Sequence, residues 1–177
     1  MQIVHIFGAS GSGTSTLGRA ISERTGFAFL DSDDYIWAPT DPPFTTLRTH
    51  AERLPLLQRD LERIENAVLS GSLVGWGDPL IPRFTLAVRL VVPADIRMDR
   101  LERREFARFG HRIRPGGDMY EQSQAFLRWA AAYDDGAPTM RSRAMHDLWQ
   151  QKLTCTLLTL DGARPVDELV QTVLDAL

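Results

Sequence analysis

Apolar residues along this chain alternate between short unbroken runs and a repeat of three to four residues. The unbroken runs predict five buried strands, each bounded by polar or glycine-containing segments. These strands span residues 2–7, 27–30, 72–76, 86–92 and 155–160. Helical spacing between them gives an alternation of strands and helices, which is typical of a parallel sheet covered by helices on both faces.

The longest helical pattern runs from about residue 45 to residue 69. Its apolar positions lie three or four residues apart, at Leu54, Leu57, Leu61, Ile64 and Val68. Pro55 falls inside the pattern, and because proline lacks a backbone N–H we expect the helix to break or begin near it. Further helical patterns cover 97–105, 118–150 with an interruption at 135–138, and 165–177.

Composition places few limits on function but excludes some classes of partner. With 177 residues, 44% of them hydrophobic and 24% charged, the chain is predicted to form a single domain, 1–177. Its net charge of −3 gives no reason to expect a nucleic-acid partner. No apolar run approaches the roughly 20 residues of a membrane span, and the first strand leaves no room for a signal peptide. We therefore expect a cytoplasmic protein with no membrane partner.

A glycine-rich segment joins the first predicted strand to the first predicted helix. It fits the phosphate-binding pattern G-x-x-x-x-G-K-[ST] at every position except the lysine. In such a loop, backbone N–H groups and the positive end of the helix hold an anion, and Ser15 offers its hydroxyl to Mg²⁺. The alternative is a turn of small residues that binds nothing. The predicted nucleotide-binding residues are Gly8, Ala9, Ser10, Gly11, Ser12, Gly13, Thr14, Ser15 and Thr16.

Thr14 occupies the position of the missing lysine. Lys152 is the only lysine in the chain, so a cation that replaces the loop lysine is expected to be an arginine. A guanidinium group grips phosphate oxygens in pairs, from farther away and with a different geometry. The loop therefore predicts nucleotide binding, whereas Thr14 leaves phosphoryl transfer open.

An acidic cluster, Asp31-Ser32-Asp33-Asp34, follows the second predicted strand. In parallel sheets, ligands bind at the carboxyl ends of the strands. We therefore expect Asp33 and Asp34 to contact an acceptor substrate and Asp33 to hold a metal together with Ser15. The alternative is that these aspartates only cap the following turn.

An arginine-rich helical pattern over 97–105 leads into a polar, glycine-containing segment over 109–117. This composition is typical of a mobile lid, which we place at about 105–118. Acidic residues alternate with the arginines, so a solvated charged face is the alternative interpretation of the helix.

Together these segments resemble the nucleoside-monophosphate kinase group of P-loop proteins, adenylate kinase above all. The resemblance follows the chain in order over nearly its whole length. It implies a three-layer α/β P-loop fold, with a five-stranded parallel sheet flanked by helices and a small lid. It also implies ATP and Mg²⁺ as cofactors, and a nucleotide together with a small-molecule acceptor as partners.

The resemblance implies roles for several arginines. Two would bind the acceptor's phosphate: Arg48 in the segment 45–48, and Arg83 at the end of the turn 75–83. Arg100 and Arg104, four residues apart on the lid-entry helix, would flank the donor nucleotide. At the lid exit, Arg141 and Arg143 would close on the transferring phosphoryl group, and all four lid arginines are the predicted catalytic residues.

Two features depart from adenylate kinase. The lid lacks the cysteines of a structural zinc site, and the cluster at 31–34 is more similar to that of shikimate and gluconate kinases. We therefore predict an ATP-dependent kinase for a nucleotide or another small molecule. The alternatives are a nucleotide-binding protein that has lost transfer and an NTP hydrolase of the same fold.

Overall fold

Five parallel strands form one sheet at the centre of the molecule, described by a computed structural model that covers all 177 residues. The sheet has the order β2-β3-β1-β4-β5, so β1 lies at its centre. All neighbouring strands pair in parallel, which confirms the predicted fold class. The strands are β1 (Gln2–Gly8), β2 (Ala28–Asp31), β3 (Asn66–Ser70), β4 (Leu86–Val91) and β5 (Thr156–Asp161).

Helices cover both faces of this sheet. They are α1 (Thr14–Thr25), α2 (Ser32–Ile36), α3 (His50–Leu61), α4 (Ala94–Phe109), α5 (Tyr120–Ala131), α6 (Arg143–Gln150) and α7 (Val166–Leu174). Two 3₁₀ turns, Asp78–Arg83 and Gly110–Ile113, complete the regular structure. None of the helices combines the length and apolarity that crossing a bilayer requires.

The alternation of side chains along β1 creates two separate hydrophobic cores. Val4 and Ile6 point to the face covered by α1 and α7, where Leu17 and Val170 are buried. Ile3 and Phe7 point to the opposite face and pack in the core that includes α3 and α6. Because β1 is buried on both sides, its sequence is an unbroken apolar run rather than an alternating one.

The third strand lies earlier in the chain than its predicted position at 72–76. It is β3, Asn66–Ser70, and α3 ends at Leu61 instead of continuing to residue 69. The prediction followed the helical spacing to Val68, but β3 is held between β1 and β2, with Val4 and Phe29 as the register partners of Val68. Pairing on both sides outweighs a helical pattern of this length.

Residues 72–76 form a turn beyond the end of β3. Its Leu73 and Trp76 side chains are buried, and Gly75 adopts a positive φ of 84° that interrupts any extended run. Pro55 lies inside α3, whose first residue is His50, so the helix neither breaks nor begins at the proline.

Two histidines are buried in the core without a charged partner. His5 stacks between Phe7 and Phe84, and its Nδ1 lies 3.1 Å from the Leu69 carbonyl oxygen. Burial lowers the pKa of His5 to about 4 and that of His146 to about 3. Both side chains are therefore neutral in the folded protein at neutral pH.

Acid should destabilise this protein before its carboxylates titrate. Below pH 6.5 the unfolded chain binds protons at His5 and His146 that the folded chain does not, so the unfolding free energy falls as the pH decreases from 6.5 towards 4. Each histidine contributes up to about 1.4 kcal/mol per pH unit. Urea unfolding at pH 7, 6 and 5 measures this slope, and His146→Gln should reduce it by about half. A slope of zero would show that the native state accepts these protons.

Candidate functional site

The glycine-rich loop lies at the carboxyl edge of the sheet, between the end of β1 and the start of α1. Two of its glycines are in contact with the backbone of other elements. A Cβ atom on Gly8 would lie 2.6 Å from the Leu90 carbonyl oxygen of β4, and one on Gly11 would lie 2.6 Å from the Arg97 carbonyl oxygen of α4. Gly11 also has a φ of 80°, a backbone conformation that residues with a side chain rarely adopt. The loop is therefore fixed between β4 and α4.

Helix α1 begins directly beneath this loop. Gly13 is its N-cap, and no side chain caps the first turn. Uncapped N–H groups at a helix start, beside glycines that expose their own backbone, form a binding place for an anion such as phosphate. The residues present therefore fit the phosphates of a nucleotide.

Ser15, in the first turn of α1, forms a hydrogen bond to the acid at the end of β2. Its hydroxyl donates to Oδ2 of Asp31 at 2.6 Å. The Ser70 hydroxyl, on the register partner of Asp31 in β3, is buried without a hydrogen-bond partner. Ser15 and Asp31 both line the cavity and present oxygen atoms, the donors that Mg²⁺ prefers. Asp31 rather than the predicted Asp33 is the acid that meets Ser15.

The chain contains no group of three or more His, Cys, Asp or Glu side chains able to hold a metal ion by themselves. Mg²⁺ commonly keeps several waters and binds through one or two protein oxygens together with substrate phosphates. Ser15, with Asp31 beside it, would hold the ion in that way, and its phosphate ligands would lie on the loop.

A single large cavity of about 1010 Å³ extends from the loop between α2, α3, α4 and α5. Most of the site residues predicted from the sequence line this cavity, and their roles stay predictions. The predicted residues that line it are Gly8, Ala9, Ser10, Gly11, Gly13, Thr14, Ser15, Thr16, Asp33, Asp34, Arg100, Arg104 and Arg141. Ser12 is fully buried beneath the loop instead.

Helix α4 presents a row of arginines to the cavity. Arg100, Arg104 and Arg108 are four residues apart and therefore lie on one face of the helix. Arg100 is nearest to the loop, where Nη1 donates to the carbonyl oxygens of Gly11 at 3.4 Å and Gly162 at 3.1 Å. The row carries positive charge from the loop towards the far end of the cavity.

Aromatic rings hold the arginines of the far end. The guanidinium of Arg108 lies 4.3 Å from the ring centre of Phe44, Arg141 lies 5.4 Å from Trp129, and Arg104 lies 5.7 Å from Phe126. Neither Arg104 nor Arg141 forms a salt bridge, whereas Arg108 has Glu105 at 3.6 Å. Cation–π contacts position a guanidinium without neutralising it, so the charges of Arg104 and Arg141 stay available to an anionic ligand.

Asp33 faces this group of arginines from the start of α2. Its pKa is raised mainly by desolvation and also by Asp31, and Arg141, Arg104 and Arg108 oppose that shift. The pKa of Asp34 is raised by the same two causes, with Arg19 and Arg48 opposing. An acid with a raised pKa accepts a proton more readily than an ordinary aspartate, which suits a general base.

Three predicted site arginines, Arg48, Arg83 and Arg143, do not line the cavity and have other partners. Arg48 donates from Nη1 to the carbonyl oxygens of Asp34, Tyr35 and Trp37, at the C-terminal end of α2. Arg83 ends the 3₁₀ turn before β4 and contacts Met1, at the edge of the sheet opposite the loop.

Arg143 is the third of these arginines. It forms an exposed salt bridge at 2.6 Å with Asp134 and does not line the cavity. The side chains of all three arginines therefore contact structural partners.

The cavity also contains charged residues to which the sequence analysis gave no role in the site. They are Arg19, Asp31, Arg53, Glu105 and Arg108. Arg53 is buried and donates from Nε and Nη2 to the Arg48 carbonyl oxygen at 3.0 and 2.8 Å. Spacing could have found two of them: Arg108 continues the four-residue repeat of α4, and Arg19 lies one turn after Ser15. Nothing in the sequence distinguishes Arg53.

Lys152 does not replace the missing loop lysine. Its Nζ forms a salt bridge at 2.6 Å with Asp78, outside the cavity. All permanently positive side chains that line the cavity are arginines, and none is a lysine. The composition predicted this.

Comparison with known proteins identifies the family to which the chain belongs. A family model described as an AAA domain matches residues 4–108. The chain belongs to this family. It is 47% identical over 174 residues to "Uncharacterized protein YqaC" of Bacillus subtilis (strain 168), covering 98% of this chain and 96% of that protein. It is also 28% identical over 113 residues to a cytidylate kinase of Pyrococcus furiosus, covering 58% and 57% of the two chains.

Solved structures with a similar fold include small-molecule kinases. A shikimate kinase from Acinetobacter baumannii, in complex with shikimate, has a TM-score of 0.56 at 20% identity and covers 99% of this chain and 92% of its own. A gluconokinase from Sinorhizobium meliloti 1021 has a TM-score of 0.52 at 20% identity, with coverage of 98% and 90%. Sequence identity of 20% supports the fold alone, and the likeness confirms the three-layer α/β P-loop fold.

Substitution of Gly11 should test how tightly the loop is fixed. Gly11→Ala would place a methyl group against the Arg97 carbonyl oxygen in a left-handed conformation, so we expect a loss of roughly 2–4 kcal/mol in unfolding free energy. Gly26→Ala is the matched control, because Gly26 has a similar φ of 76° and nothing within 4 Å of its added Cβ. We expect it to cost only about 1–2 kcal/mol. Equal losses in urea unfolding would contradict the close contact with α4.

Proposed function

We propose that this protein is a P-loop kinase that transfers the γ-phosphoryl group of ATP to a hydroxyl group of a small anionic acceptor. The observation that carries the proposal is the position of Asp33, in the same cavity as the phosphate loop and surrounded by three arginines. Loop, acid and arginines supply positioning, a proton acceptor and positive charge, which are the main requirements of phosphoryl transfer.

One end of the cavity would bind ATP and the other end would bind the acceptor. The loop and the start of α1 would hold the ATP phosphates, with Arg100 over Gly13: its Nη1 lies 3.9 Å from a Cβ placed on that glycine. Ser15 would hold Mg²⁺, and the ion would neutralise phosphate charge. Asp31 accepts a hydrogen bond from the Ser15 hydroxyl and so fixes the orientation of that ligand.

At the other end, Asp33 would orient the acceptor hydroxyl and accept its proton. The hydroxyl oxygen forms a bond to the γ-phosphorus, the bond from that phosphorus to the bridging oxygen breaks, and ADP leaves. Arg104 and Arg141 face Asp33 and would stabilise the charge on the transferring group. Arg108 would hold an anionic group elsewhere on the acceptor.

Asp33 favours a hydroxyl acceptor over a phosphate acceptor. A nucleoside monophosphate offers an anionic oxygen that needs no base, and a carboxylate at that point would repel it. The sequence analysis left a nucleotide acceptor open, and the cytidylate kinase among the relatives keeps CMP in the experiment as a competing acceptor.

The test is an ADP-release assay with ATP·Mg²⁺ and each of shikimate, gluconate and CMP. We expect ADP release to depend on a hydroxyl acceptor, and Asp33→Asn to lower kcat about 100-fold or more while leaving the Kd for ATP within twofold. Asp99→Asn is the control, because Asp99 pairs with Arg103 on the exposed side of α4. Full activity in Asp33→Asn would contradict the proposed base. ADP release that no acceptor stimulates would favour an NTP hydrolase.

Thr14 supports the alternative of a nucleotide-binding protein without transfer, and Thr14→Lys tests the vacant lysine position. An added ammonium on the phosphates should tighten ATP binding about tenfold or more. Thr14→Met, which has similar length and no charge, is the control, and calorimetric titration of ATP·Mg²⁺ measures both. Unchanged or weaker binding in Thr14→Lys would indicate that an arginine already fills the lysine's space.

A further inference from the structure

Ser72 lies at the acceptor end of the cavity, two residues beyond β3. The carboxyl ends of β2 and β3 meet there: a Cβ atom on Gly71 would come within 1.9 Å of the Ser32 hydroxyl oxygen. Ser32, Asp33, Gly71 and Ser72 all line the cavity. Ser72 therefore belongs to the floor of the space that Asp33 faces.

A buried chain of hydrogen bonds ends on the Ser72 hydroxyl. Its Oγ lies 3.0 Å from Nε2 of His146, and the other ring nitrogen, Nδ1, lies 2.7 Å from the hydroxyl oxygen of Tyr133. All three side chains are buried. Burial, with Arg141 and Arg89 nearby, keeps the pKa of His146 at about 3, so the ring is neutral. One ring nitrogen therefore donates and the other accepts.

The Tyr133 hydroxyl decides which nitrogen donates. It is buried, and Nδ1 of His146 is its one hydrogen-bond partner. Because the phenolic proton has no other acceptor, it goes to Nδ1, and Nε2–H donates to Ser72.

The Ser72 hydroxyl proton has no acceptor within the protein. The other group near its oxygen is the Val74 N–H at 3.5 Å, which is also a donor. Both neighbouring groups donate to the Ser72 oxygen, so neither can accept the Ser72 hydroxyl proton. Because Ser72 lines the cavity, we infer that its O–H points into the cavity. The floor of the acceptor end therefore presents an oriented O–H donor.

We propose that Ser72 donates a hydrogen bond to an anionic oxygen of the acceptor, a carboxylate or phosphate oxygen, and that Tyr133 and His146 act as positioning residues that fix its direction. Arg141 faces the same space and supplies the matching positive charge. An ammonium group has no lone pair for this donor, so the floor selects against cationic acceptors. The assignment rests on the proposed function, because it places Ser72 in the acceptor subsite.

The direction of the chain can be measured in the full protein without any substrate. Nitrogen-15 NMR of labelled histidine distinguishes the two neutral tautomers, and the signals of His146 are identified by their loss in His146→Gln. We expect a proton on Nε2 and none on Nδ1. A proton on Nδ1 would overturn the proposal, because Ser72 would then donate to the histidine instead of to the cavity.

Binding is tested with inorganic phosphate, added after the loop has been filled with Mg²⁺ and a non-hydrolysable ATP analogue. We expect phosphate to shift the Nε2 signal of His146, and Ser72→Ala to weaken phosphate binding about tenfold. Ser123→Ala is the matched control, since Ser123 lines the same cavity but donates its hydroxyl to Glu105 at 3.4 Å. Tyr133→Phe should weaken binding, and His146→Gln, which donates and accepts like the histidine, should largely preserve it.

The outcomes separate this proposal from the kinase proposal. Phosphate that does not bind, or that binds equally well to wild type and Ser72→Ala, would overturn the role of Ser72 even in an active kinase. A protein that binds phosphate as expected but transfers no phosphoryl group would refute the kinase and leave the Ser72 donor in place.

Discussion

The site depends on the close approach of two backbones to the phosphate loop. Carbonyl oxygens of β4 and α4 occupy the space that side chains at Gly8 and Gly11 would need. This contact fixes the height of α4 above the loop and therefore the distance at which its row of arginines passes over bound phosphates. Arg100, one turn beyond the contact at Arg97, donates back to the Gly11 carbonyl oxygen and closes the arrangement. A shift of α4 would move every cation in the row together.

Rings, and not carboxylates, orient Arg104 and Arg141. A salt bridge holds a guanidinium firmly but neutralises its charge, as in the pairs of Arg97 and Arg143 with Asp134. Phe126 and Trp129 contact Arg104 and Arg141 without neutralising them. The protein thus keeps positive charge near Asp33.

Much of this could be predicted from the sequence, because the informative features were local. The glycine loop, the strand before it and the helix after it are specified by neighbouring residues. The position of β3 was wrong because pairing with β1 and β2 outweighed a helical repeat that ended on Val68. Arg83 and Arg143 were misplaced because the resemblance located segments along the chain but not the direction of side chains. The chain of hydrogen bonds from Tyr133 through His146 to Ser72 joins residues from three separate segments, and no local pattern indicates it.

The exclusive use of arginine has a consequence for chemical labelling. Reagents that attach to nucleotide sites by acylating an amine, such as acyl phosphates of ATP, need a lysine near the phosphates. Here the only lysine is paired with Asp78 outside the cavity, so the cavity offers no side-chain amine to acylate. A survey of ATP-binding proteins by lysine acylation would miss this protein even at full occupancy, whereas reagents that condense with guanidinium groups would find it.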